Sequence, residues 1–165
     1  MKVRLPRLAT TATAAGLAVC GLVAMPGTAS AAAASKCSSE QHKEFDTLGY
    51  NLDVYVTLCV HRDSSNNYKA TAKVTWQDGG QGNSGGMEKL WVQVRLEHND
   101  SDIKTNTTSY TNLVNSYESS GYTIETDEYH STSTGGWTAD GHVVYNVDLD
   151  GDGEHTWSLG GSPSI

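Results

Sequence analysis

Long apolar runs are missing once the first 31 residues are set aside. No later stretch approaches the ~18 consecutive apolar residues of a membrane-spanning helix, so no membrane contact is expected of this chain. Basic residues are scarce: 11 stand against 19 acidic ones, a net charge of −8. An acidic surface of this kind repels nucleic acid and anionic lipid, and attracts cations or a basic partner. Paired histidines are missing too. His42, His61, His98, His130, His142 and His155 occur singly, with no H-x-H or H-x-x-x-H spacing to hold zinc. Cysteine is limited to three residues, too few for a disulfide-built or metal-cluster scaffold.

What is present begins with an export signal. Lys2, Arg4 and Arg7 precede the apolar, alanine-rich run Leu8 to Val23, and "TASA" (residues 28–31) supplies the small residues of a cleavage site. A secreted, extracellular protein is expected, with residues 1–31 as signal peptide. Removing them takes away three basic residues and Cys20, leaving eight basic against 19 acidic residues, a net charge of −11. Cys37 and Cys59 remain, and in an oxidising compartment they are expected to form one disulfide. That bridge would pin an N-terminal arm, residues 32–50, onto a following domain of residues 51–165.

Period-two alternation organises that domain. Leu52, Val54, Val56, Leu58 and Val60 share one face of a strand, and Tyr68, Ala70, Ala72, Val74 and Trp76 share one face of the next. With "HRDSSNN" between them the two segments read as a hairpin. Leu90, Val92, Val94 and Leu96 form a third inward row. Val143, Tyr145, Val147 and Leu149 form a fourth, and His155, Trp157 and Leu159 a fifth. "IKTNTTSY" reads as a polar edge strand, "YTIETDEYH" as a further strand, and "YTNLVNSY" as one or two helical turns. Many short strands without βαβ alternation predict an antiparallel β-sandwich, immunoglobulin-like or jelly-roll-like, with a barrel as the competing architecture.

Candidate chemistry is sparse. "GNSGG", Gly82 to Gly86, resembles the serine loop of chymotrypsin-like proteases, but the histidine and aspartate of the triad would have to come from a first barrel that does not fit upstream. A flexible glycine-rich loop is expected there. No catalytic residue is assigned, and a non-enzymatic protein is expected, with a small hydrolase as the enzyme alternative. Asp148, Asp150 and Asp152 in "VDLDGDGEHTW" follow the first half of an EF-hand loop. Leu159 stands where the closing glutamate belongs, leaving either a calcium site of other geometry or a hairpin turn. Glu97, Asp100 and Asp102 form a second acidic cluster; a shared cation site requires both at the same end of the fold.

With a single phenylalanine, Phe45, the aromatic surface falls to four tryptophans and eight tyrosines, side chains that combine apolar area with a polar tip. Trp91 is on the outward parity of its strand and Trp137 in a glycine-rich loop, "STGGWTADG". Exposed aromatics there would stack on carbohydrate or anchor a protein interface. The arm, Ala32 to Phe45, offers a docking segment, and Ser101 to Ser109 an inhibitory loop if the protein blocks a protease.

The alanine-rich signal, the Gly/Ser/Thr-rich turns, the single cysteine pair and the ending "WSLGGSPSI" resemble the small secreted β-sandwich proteins of Streptomyces and related actinobacteria. Relatives of that size class include adaptor subunits of umbrella toxin particles, which link a toxin-bearing stalk to lectin subunits. The resemblance implies a protein-interaction or adaptor module of an extracellular assembly, with a secreted protein as partner. A carbohydrate-binding module, with calcium as an optional aid, and a protease inhibitor are the alternatives.

Overall fold

The computed structural model describes residues 32–48, 51–77, 86–116 and 120–165. The expected signal peptide, residues 82–85 of the "GNSGG" loop and Tyr117 lie outside them. Among the described residues ten strands and one helical turn follow in order: β1 (Ala34–Cys37), β2 (Gln41–Phe45), β3 (Leu52–Arg62), β4 (Asn67–Gln77), β5 (Met87–His98), β6 (Ser101–Ser109), α1 (Thr111–Val114), β7 (Ser120–Glu125), β8 (Tyr129–His130), β9 (Trp137–Val147) and β10 (His155–Ser158).

They form two antiparallel sheets, a β-sandwich. The first runs β1-β3-β4-β7, with β2 also on β3 and β8 also on β4; the second runs β10-β9-β5-β6. The alternating rows of β3, β4 and β5 are buried as their pattern predicts, because each strand packs one face against the opposite sheet. Burial of each such Val or Leu contributes about 1.5–3 kcal/mol.

Turns follow side-chain chemistry. The Asp63 carboxylate accepts the backbone N–H groups of Ser65 and Asn67 and the Asn67 amide, each at 2.8 Å, closing the β3–β4 hairpin. The Asn67 N–H above all, and then its side chain, hold that carboxyl below the usual range. Asn99 and Asp100, at φ 51° and 61°, make the two-residue turn between β5 and β6.

Four expectations change. Trp137 is not in a loop: it opens β9, points inward and is 1% exposed. Leu149 is not inward. β9 ends at Val147, and Leu149 sits in a turn at φ 64°, breaking the alternation and leaving it 74% exposed. His155 is exposed, because β10 is a short edge strand and only Trp157 and Leu159 behind it reach the core. The arm is not separate from the sandwich, since β1 and β2 both pair with β3. Phe45 at its end is buried, so it offers no docking contact.

The start of β9 uses small residues to bring strands together. A Cβ on Gly141 would lie 2.3 Å from the Gln93 carbonyl oxygen and 3.6 Å from Leu58 Cδ2. Gly141→Ala must therefore push β9 away from β5, and a loss of about 1–3 kcal/mol is expected in chemical denaturation. An unchanged midpoint would show that the strands yield without cost.

Candidate functional site

The solvent-facing side of the second sheet carries the most developed array of side chains. Because Leu90, Val92, Val94 and Leu96 of β5 point into the core, Trp91, Gln93 and Arg95 point out. Register sets their neighbours. Trp91 stands between Val144 of β9 and Ser109 of β6, Gln93 between His142 and Thr107, and Arg95 between Asp140 and Thr105.

Trp91 is 43% exposed at the middle of this face. The Lys89 ammonium lies 4.1 Å from the centroid of its ring and also binds Glu154 Oε1 at 2.6 Å. A cation over one face of the indole restrains its orientation and covers that face. Gln93 Nε2 donates to Thr107 Oγ1 at 3.2 Å.

Arg95 terminates the row and gathers three carboxylates: Glu97 at 3.1 Å, Asp102 at 3.2 Å and Asp140 at 2.9 Å. Glu97 is buried, with 11% of its side chain exposed. Its carboxyl is pushed above the usual range by burial first and by the Asp140 charge next, while Arg95 opposes both. The face thus has a weakly charged centre of Trp91, Gln93, His142 and Val144, flanked by ion pairs on either side.

The second acidic cluster of the sequence is therefore only partly a unit. Glu97 and Asp102 meet at Arg95, Asp140 joins them from β9, and Asp100 stays in the turn. The first cluster lies elsewhere. Glu97 pairs with Thr138 at one end of the sheet and Met87 with Val147 at the other. Ten residues of strand separate them, roughly 33 Å at about 3.3 Å per residue, so no cation is shared.

Asp148, Asp150 and Asp152 form a turn. Asp150 Oδ1 accepts the Asp152 N–H at 2.9 Å, and Gly151 and Gly153 adopt φ 77° and 79°. Among the described residues no group of three or more His, Cys, Asp or Glu side chains converges on a metal position. The three aspartates thus stand in the hairpin turn that was the alternative to a calcium site, with Asp150 and Asp152 exposed and Asp148 partly covered.

Trp137 is likewise removed from the binding candidates. It lies in a buried stack, 4.2 Å from the Tyr68 ring and 4.4 Å from the His98 ring. The segment Ser101 to Ser109 is strand β6, paired with β5 along its length, and not a protruding inhibitory loop. The sequence pointed to Trp91 by parity and to Glu97 and Asp102 as an acidic cluster, but carried no signal for Gln93, His142, Arg95 or Asp140, which only cross-strand register brings to them. No protein-family model, curated protein or solved structure matches this chain.

Proposed function

We propose that the chain is a secreted, non-enzymatic binding protein that docks a protein partner on the outer face of its second sheet, as an adaptor in an extracellular assembly such as a toxin particle. The observation that carries this reading is Trp91, 43% exposed at the centre of a weakly charged face flanked by ion pairs. Interfaces concentrate tryptophan and arginine near their centre and depletion of charge in their core. The disulfide is in keeping with an oxidising compartment, and no helix of the described residues is long and apolar enough to cross a membrane. Lys89 over the indole favours a protein anchor above a sugar platform.

Tagged protein recovered from culture supernatant, with co-purifying chains identified by mass spectrometry, tests the proposal. A secreted partner is expected at stoichiometric yield, and Trp91→Ala should weaken it by about 2 kcal/mol, roughly 30-fold, with little change in Tm. Retention on polysaccharide that Trp91→Ala abolishes, without any protein partner, would replace this reading with the glycan-binding one.

A further inference from the structure

One edge of β3 is covered by two short strands in succession, β2 along Leu52–Val56 and β1 along Cys59–Arg62. They are fastened differently. β2 ends in Phe45, which is buried in the core, whereas none of the four residues of β1 is buried. β1 is held by its backbone pairing with β3, by Ser35 Oγ at 2.9 Å from His61 Nδ1, and by Lys36 Nζ donating to the Ser164 carbonyl at 2.8 Å. The chain just after it adds the Ser38 N–H donating to the Leu58 carbonyl at 2.8 Å.

The Arg62 guanidinium also donates to the Ala32 carbonyl at 2.9 Å just before β1, and the Leu58 N–H to Ser38 Oγ at 3.1 Å just after it. One further bond is covalent. Cys37 and Cys59 face each other across the β1–β3 pair and are joined by a disulfide. An exposed strand this short loses about as much conformational entropy on ordering as its hydrogen bonds return. The disulfide is therefore the strongest single tie on β1. Cys37 is exposed and open to an attacking thiolate. A cavity of about 430 Å³, lined by Ala33, Ala34 and Ser35 on one side and by His61, Arg62 and Lys69 on the other, leaves this part of the chain flanked by solvent.

We propose that Cys37–Cys59 is a thiol-exchange latch: a dithiol reductant opens it and β1 leaves β3 while the sandwich stays folded, baring the β3 edge from Cys59 to Arg62. A thiolate of the reductant attacks Cys37 Sγ, forming a mixed disulfide and expelling Cys59 as a thiolate that takes a proton from solvent. The second thiol of the reductant, as its thiolate, then displaces Cys37, and the reductant departs as its own disulfide. Two electrons pass from the dithiol to the cystine. The sandwich survives because β3 is also held by ten cross-strand residue pairs with β4 and by the buried Leu58 and Val60. This latch lies on the first sheet and does not depend on the binding face of the second.

Hydrogen–deuterium exchange followed by mass spectrometry tests it, comparing the oxidised protein, the protein treated with dithiothreitol under native conditions, and the Cys37→Ser/Cys59→Ser double variant. Peptides covering residues 34–38 are expected to exchange at least ~10-fold faster in the last two, with peptides over residues 70–76 unchanged. The proposal is overturned if native protein resists dithiothreitol, if residues 34–38 keep their protection after reduction, or if protection falls throughout the domain.

Discussion

Arg95→Ala is expected to lower folding stability by about 3 kcal/mol at pH 7, with roughly half of that loss or less remaining at pH 4. Arg95 is the cation that Glu97, Asp102 and Asp140 share, and without it three carboxylates crowd one spot on the sheet. The effect is weighted towards Glu97, because Asp102 is well exposed and solvent screens it. Burial and Asp140 already hold the Glu97 carboxyl above its usual range, so the folded protein binds that proton more tightly than the unfolded chain does. Charged Glu97 accordingly lowers stability above its folded-state pKa, and the penalty fades as the pH falls towards the ordinary glutamate value. Removing Arg95 takes away the group that opposes the shift, which moves the window upward and lets mild acid relieve more of the damage. Urea denaturation of both proteins at pH 7 and pH 4 measures this. A deficit equal at the two pH values would mean that Arg95 acts through the packing of its stem and not through its charge.

The difference between what alternation revealed and what it concealed has a physical origin. β3, β4 and β5 each have one face against the opposite sheet, so burial imposes period two on the sequence, and all three strands are legible there. β1 and β2 lie at the edge of the first sheet, held by backbone pairing with a disulfide on β1 and the single buried Phe45 at the end of β2, none of which leaves an alternating apolar row. "SKCSSEQHKE" therefore looks like a loose arm. The beginning of β9 was concealed for another reason. Its inward positions Ala139 and Gly141 are small because β9 approaches β5 closely, and glycine in a strand reads as a turn. The proposed binding face is legible in the sequence only at Trp91 and, in the Arg95 cluster, at Glu97 and Asp102. The neighbours of its β5 row come from β6 and β9, and a one-residue change of register would have assembled a different set.

Trp137 gives that misread segment its largest measurable consequence. Trp137→Ala is expected to cost about 3–5 kcal/mol, the range for emptying a buried tryptophan site. The ring is 1% exposed and lies against Tyr68 and His98, with Tyr129 tilted 5.8 Å away. Its indole N–H donates to the Ser133 carbonyl at 2.9 Å, the same oxygen that accepts the Tyr68 hydroxyl at 2.8 Å. Truncation would thus open a void between the first and second sheets and loosen the chain leading into β9. Trp137→Phe keeps the stacked ring and loses one hydrogen bond, so a smaller loss of about 1 kcal/mol is expected. Chemical denaturation of the two variants separates a core role from a surface one: a ligand-stacking tryptophan would leave both midpoints near wild type, whereas a core tryptophan ranks alanine far below phenylalanine. That ordering also bears on binding experiments, since a Trp137→Ala protein that fails to capture a partner would have lost its fold and not its contact, while Trp91→Ala leaves the core rows of β5 and β9 intact.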